Sequence, residues 1–245
     1  MEPIYTQEFQ ITDFVVDRYG RLKKSMLLSF VQEVAGVHGS ALGASFEALA
    51  AKNLFWAIIR QKVQITRMPR SGETIRLETW PMPATRTCYP RSTVAYDSNG
   101  NEVFRSIAMW VLMDKDSRAM VLPGKSGVVV QGLLTGSELK TPGSLVPKAL
   151  SNTHLRTVGF TDLDRNGHMN NTRYLEWMDD LLPSPFHQNH TPSEFTVCYH
   201  AEAREGEALH LHWQMLDESV FQVDAHREGP EPGAAQRIFT AQVRF

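Results

Sequence analysis

Hydrophobic positions along this chain follow two rhythms, and each is met twice. Leu27, Phe30, Val31 and Val34 fall at three- and four-residue intervals, the spacing that gathers apolar side chains on one face of a helix. Tyr174, Trp177, Met178 and Leu181 repeat it in the second half, with Asn170 or Asn171 placed to cap the helix start. The segment GVHGSALG after Val34 predicts a break or kink in the first helix. After each helix the period drops to two. FWAIIRQKVQITR, ETIRLETW and STVAYDSNGNEVFRSIAMWVLMD are rich in β-branched and aromatic residues, and Ser98-Asn99-Gly100 reads as a hairpin turn. In the last strand Phe239, Ala241, Val243 and Phe245 alternate with Thr240, Gln242 and Arg244. The expected class is α+β, with antiparallel sheets covered on one face by a helix.

The doubling extends to the letters. DRYGRLKKSMLLSFVQEV starts at Asp17 and DRNGHMNNTRYLEWMDDL starts 147 residues later at Asp164, with Asp, Arg and Gly matching outright. Leu22 then faces Met169, Ser25 faces Thr172, Leu28 faces Leu175 and Phe30 faces Trp177. A second block, RSGETIRL from Arg70, aligns with REGEALHL from Arg204 at an offset of 134. The difference of 13 is absorbed by AGVHGSALGASFEALAAKN after Val34. Two modules follow, 1–122 and 156–245. Between them 123–155 carries scattered Gly, Ser, Pro and Thr, with VVV and GLL clusters that predict an ordered strap against the protein.

Composition narrows the partners. A content of 42% hydrophobic and 21% charged residues belongs to an ordinary globular protein, and a net charge of -2 supplies no general attraction for nucleic acid. Cys88 and Cys198 form no CxxC pair, so neither a disulfide framework nor a structural zinc is indicated. The start, MEPIYTQEFQIT, has neither the basic opening nor the apolar run of a signal peptide. No stretch approaches the roughly 20 apolar residues of a membrane helix. These features predict a cytoplasmic location without membrane insertion.

Candidate chemistry is concentrated in DLDRNGHMNNTRY, which holds two Asp, three Asn and a His. A turn at Asn166-Gly167 feeding a helix start leaves amide donors beside His168, which suits a carbonyl developing negative charge. Asp, Asn and Gly are equally the residues of turns and caps. The repeat separates the two readings in part: Arg21 stands where the second copy has His168, and Tyr19 where it has Asn166, so the fold does not require either. Glu202, in VCYHAEAREGE, corresponds to Met68, and from the residues alone an exposed surface position accounts for it. His210 and His212 share a strand face without a third ligand at metal spacing, and read as a surface pair.

The run DLDRNGHMNNTRYLEW resembles the DLDxNxHxNNxxYxxW signature of the acyl-acyl carrier protein thioesterases of plants and bacteria. NLFWAIIRQKVQITRMPRSGETIRLETWP and RSTVAYDSNGNEVFRSIAMWVLMDKDSRAMVLP are similar, in order, to that family's first-module strands. The resemblance implies a double hot-dog fold, two tandem modules each with an antiparallel sheet wrapped around a central helix. It implies that Asp164, Asn166 and His168 are catalytic, joined by Glu202 through the spacing of Tyr199 and Glu202, and it places Trp56 near an acyl-chain tunnel in the N-terminal module. Plant members carry a Cys directly after this Glu; Ala203 stands here, which excludes a thiol nucleophile at that point.

The implied reaction is hydrolysis of a fatty acyl thioester on acyl carrier protein. Glu202 and His168 would activate water, or Glu202 would attack directly; Asp164 would orient and polarise His168; and Asn166 with amides at Gly167 and His168 would bind the oxyanion. No cofactor or metal is called for, and the chain is expected as a monomer or homodimer. Two rival readings are an acyl-CoA thioesterase or other hot-dog enzyme on carrier-bound acyl groups, and a non-catalytic acyl-binding protein.

Overall fold

The computed structural model describes residues 2–135, 139–229 and 234–245. The chain forms two compact units, Met1–Pro142 and Gly143–Phe245.

In the first unit, strand β1 (Tyr5–Gln10) leads through a 3-10 turn into helix α1 (Lys24–Ala41) and a short helix α2 (Phe46–Ala50). Four long strands follow: β2 (Leu54–Ile65), β3 (Thr74–Pro81), β4 (Tyr89–Tyr96) and β5 (Glu102–Asp114). They form one antiparallel sheet in the order β1-β3-β4-β5-β2. A two-residue strand β6 (Met120–Val121) pairs with β5, and helix α3 (Pro123–Ser126) comes next. Helix α1 buries Leu27, Val31 and Val34 of the predicted stripe together with Leu28, while Phe30 of the stripe is half-buried and stacks on Phe9 of β1 at 4.4 Å.

The predicted break falls at the far end of GVHGSALG: α1 runs unbroken through Gly36 and Gly39 to Ala41. A glycine inside a helix costs about 1 kcal/mol relative to alanine. Burial of Val34 and His38, one turn apart on the same face, spans Gly36 and offsets it. The stop comes at Gly43, whose φ of 78° lies in the left-handed region that glycine tolerates.

The second unit repeats the plan in shorter form. Strand β7 (Asn152–Thr157), helix α4 (Arg173–Asp179), helix α5 (Ser184–Asn189), β8 (Glu194–Tyr199), β9 (Ala208–Met215), β10 (Val220–Glu228) and β11 (Ala235–Arg244) follow in sequence. Their sheet order is β7-β9-β10-β11-β8, the same circuit as in the first unit. Each unit is thus a hot-dog module, a helix-bearing antiparallel sheet with one topology. Helix α4 ends at Asp179, before the predicted Leu181, and Pro183 bars further helix. The start of α4 is held by Asn170, whose Oδ1 accepts from the Thr172 backbone N–H at 2.9 Å.

The expectation of a sheet covered on one face holds for the apolar side, where Phe195, Val197, Phe221, Val223, Phe239 and Ala241 are buried. It needs correcting for the other: Thr240 is 0% exposed, Gln222 1% and Asp224 2%. Residues from the predicted strap explain this, since the Val146 carbonyl accepts from Gln222 Nε2 at 3.2 Å and the Leu145 N–H points to Cys198 Sγ at 3.5 Å. Of the segment 123–155, the beginning is α3, the end is the first four residues of β7, and 136–138 lie outside the described residues.

Candidate active site

Asp164 builds the turn from which the site projects. Its Oδ1 accepts from the backbone N–H of Asn166 at 2.8 Å and of His168 at 3.3 Å, and its Oδ2 accepts from Asn166 Nδ2 at 3.3 Å. The turn closes with Asp164 N–H to the His168 carbonyl at 2.8 Å and Gly167 N–H to the Asp164 carbonyl at 3.0 Å. Gly167, with φ of 76°, supplies the left-handed residue the closure demands.

The first unit contains the same turn bond for bond. Asp17 Oδ1 accepts from Tyr19 N–H at 2.8 Å and Arg21 N–H at 3.0 Å, Asp17 N–H donates to the Arg21 carbonyl at 2.7 Å, and Gly20 has φ of 73°. The equivalence continues outward: Leu22 N–H to the Pro69 carbonyl matches Met169 N–H to the Ala203 carbonyl, both at 2.8 Å. What the copies share belongs to the fold, and what differs is left for function.

By that measure Asp164 shapes backbone. Its bonds run to main-chain N–H groups and to Asn166, so it orients His168 through the turn and not through a bond to the ring. The Gly167 and His168 amides, expected to serve an oxyanion, are both donated back to Asp164 within the turn. The exposed Asn166 amide uses one N–H on Asp164 and retains a second.

The side chains of the two copies then diverge. Arg21 folds back onto Asp17, Nε to Oδ2 at 3.0 Å. His168 instead points its Nε2 to Glu202 Oε2 at 3.3 Å, its side chain 18% exposed and that of Glu202 41%. Both groups are therefore within reach of solvent and of a substrate. Glu202 is a surface residue, as the residues alone indicated, and it is also the partner of His168. Its counterpart Met68 is buried.

One neighbour, Arg227, lay beyond the sequence reading, and the contacts of Tyr199 and Tyr174 were not legible in it. Arg227 of β10 donates from Nη1 to the Glu202 carbonyl at 3.3 Å and to both Glu207 oxygens, at 2.6 and 2.7 Å. No spacing signal ties Arg227 to Glu202; only strand pairing does. Tyr199 donates its hydroxyl to the Asn171 carbonyl at 3.0 Å, and its ring lies 5.8 Å from that of Tyr174. Burial pushes both phenols well above the usual tyrosine range, with Glu207 and then Glu202 adding to the effect at Tyr174, so both remain protonated donors.

Trp56 lies in β2 of the first unit, its Nε1 donating to the Ala44 carbonyl at 3.2 Å and its ring edge-on to Tyr89 at 5.0 Å. It packs on a cluster of Leu49, Leu54, Tyr89 and Leu112. His210 and His212 border an open cavity of about 380 Å³ with His226, Arg227, Glu228 and Ala235. There His212 Nδ1 meets Thr153 Oγ1 at 3.0 Å, and His210 Nε2 is 3.6 Å from Glu228. Among the described residues no group of three or more His, Cys, Asp or Glu could hold a metal ion. No helix among them is long and apolar enough to cross a membrane.

Comparison with known proteins agrees with the geometry. Residues 2–122 match the acyl-ACP thioesterase N-terminal domain and residues 147–240 the acyl-ACP thioesterase C-terminal domain. A chloroplastic palmitoyl-acyl carrier protein thioesterase of Gossypium hirsutum is 25% identical over 222 residues, covering 84% of this chain and 54% of that protein. A chloroplastic oleoyl-acyl carrier protein thioesterase of Arabidopsis thaliana is 23% identical, covering 84% and 62%. The chain thus spans little more than half the length of these relatives. Among solved structures, an acyl-ACP thioesterase from Bacteroides thetaiotaomicron superposes with a TM-score of 0.86 at 26% identity, covering 99% of this chain and 98% of that one. A 12:0-ACP thioesterase from Umbellularia californica shares the fold, with a TM-score of 0.82 at 20% identity over 100% and 97%.

Proposed function

Because the chain belongs to the acyl-ACP thioesterase family, we propose that it hydrolyses the thioester of a fatty acyl group on acyl carrier protein, releasing free fatty acid and the carrier thiol. The observation that carries this reading is the His168–Glu202 pair at 3.3 Å, present in the copy whose fold-sharing partner has Arg21 and Met68 instead.

The chemistry follows from the pair. His168 donates Nε2–H to one carboxylate oxygen, which holds Glu202 in place. Glu202 removes a proton from water as the water oxygen attacks the thioester carbonyl carbon. Charge builds on the former carbonyl oxygen, where the remaining N–H of Asn166 serves as a donor. The tetrahedral intermediate collapses with cleavage of the carbon–sulfur bond, and the proton on Glu202 passes to the departing thiolate. Water and thioester become carboxylic acid and thiol, with no cofactor entering the balance.

The division of labour assigns chemistry to the C-terminal unit and the acyl chain to the N-terminal one, where the Trp56 cluster offers an apolar wall. Incubation with matched acyl-carrier and acyl-coenzyme A thioesters, reading released thiol and fatty acid, tests the proposal. Turnover confined to the coenzyme A thioesters would replace the carrier substrate, and no turnover on either would remove the hydrolase reading.

A further inference from the structure

Glu202 lies three residues beyond the end of β8, exposed, and His168 lies on a turn 34 residues earlier in sequence. Something must hold two such segments at 3.3 Å. One link is the backbone bond from Met169 N–H to the Ala203 carbonyl, but the first unit has its counterpart at Leu22 and Pro69, so it belongs to the fold. A second link has no such counterpart. Tyr199, the last residue of β8, donates its hydroxyl to the Asn171 carbonyl at 3.0 Å. The equivalent positions in the first unit are Ile65, which has no hydroxyl, and Lys24.

We propose that Tyr199 is a positioning residue for the His168–Glu202 pair, bracing the strand end before Glu202 against the chain that leaves the His168 turn. The inference rests on the reading that this pair carries the hydrolysis.

Three features suit the phenol to the task. Asn171 follows His168 by three residues, so fixing its carbonyl fixes the exit of the turn. The Tyr199 ring packs against Tyr174, which in turn lies 4.6 Å from Phe239 of β11, and this packing limits swing of the phenol. Glu202 follows Tyr199 by three residues, a span stiffened by the bonds from His200 N–H and Ala201 N–H to the Ile238 carbonyl at 2.8 and 3.3 Å. The brace thus runs from Asn171 through the phenol and a short tethered stretch to the carboxylate. The acceptor is a backbone carbonyl, so the identity of residue 171 is not what the brace reads.

Tyr199→Phe deletes the single oxygen involved. Misplacement of reacting groups by about 1 Å reduces turnover on the order of 10²-fold, so kcat is expected to fall by about 10- to 100-fold, with KM changing little. Val197→Ala is the control: Val197 is buried in the same strand two residues earlier and takes no part in the brace, so this variant should melt earlier yet retain kcat at an assay temperature below its Tm. Crystal structures of the wild type and Tyr199→Phe give the second readout, with the pair expected to widen beyond hydrogen-bond reach, about 3.5 Å. An unchanged separation overturns the brace whatever turnover does. A widened pair with unchanged kcat leaves the brace standing and removes His168 and Glu202 from the mechanism, which separates the two failures.

Discussion

His168 Nε2 lies 3.3 Å from Glu202 Oε2, while Arg21, its counterpart in the first copy of the same turn, folds back onto Asp17 at 3.0 Å. One backbone scaffold therefore carries two different side-chain destinations. The chain contains its own control, since a substitution in one copy can be matched by its equivalent in the other.

The first prediction uses that control for catalysis. A positioned base contributes roughly 10²- to 10⁴-fold, so His168→Ala and Glu202→Ala should each lower kcat by about that factor. The double variant should fall by less than the product, because the two act as a unit. Arg21→Ala and Met68→Ala should alter stability or substrate affinity and leave kcat near wild type. Thermal melts on all variants guard against collapsed folds. A well-folded Glu202→Ala with wild-type turnover would sink the assignment.

Asp164→Ala and Asp17→Ala should each destabilise by about 1–2 kcal/mol through the matching backbone N–H groups at their turns, and Asp17→Ala should cost more because it also removes the partner of the buried Arg21 guanidinium. Only Asp164→Ala should also lose turnover, through displacement of His168. Denaturant melts and kcat measured side by side check this. Loss of activity at Asp164 with no loss of stability would show instead that the carboxylate acts on the reacting groups.

Cys88 and Cys198 are both buried, and Ala203 occupies the place directly after Glu202. Replacing both cysteines with Ala should leave hydrolysis nearly intact. Alkylation-resistant turnover in the wild type is the companion measurement. A fall of several orders of magnitude in a folded double variant would demonstrate a participating thiol.

The fourth prediction concerns pH. His38, 2% exposed in α1, has its pKa held below 6.5, first by burial and then by the Arg91 guanidinium whose Nη1 lies 3.1 Å from its Nδ1. The unfolded chain therefore binds a proton at His38 more readily than the folded one. Stability contributed by the neutral ring is fully present above pH 6.5 and is lost as pH falls from there through the folded pKa. Melts from pH 8 down to pH 5 should show a declining Tm, and His38→Gln should flatten part of that slope. An identical slope in the variant would place the proton uptake elsewhere.

Much of this was legible in one dimension. Helical spacing located α1 and α4, and Ser98-Asn99-Gly100 marked the β4–β5 hairpin, where Gly100 has φ of 81°. The offsets of 147 and 134 anticipated two units built on one plan. These features are local or repeated, and local sterics and periodicity are written in the order of residues. GVHGSALG marked where α1 stops without saying which glycine does it: buried Val34 and His38 carry the helix past Gly36, and Gly43 ends it.

The tertiary structure alone decided the rest. That Glu202 meets His168, and that Arg227 and Tyr199 fasten the surrounding chain, depend on β8, β10 and β11 being laid side by side in register. Such contacts join residues tens of positions apart. Neither periodicity nor composition encodes their distances, which are set by strand pairing and by the packing of Tyr174, Tyr199 and Phe239.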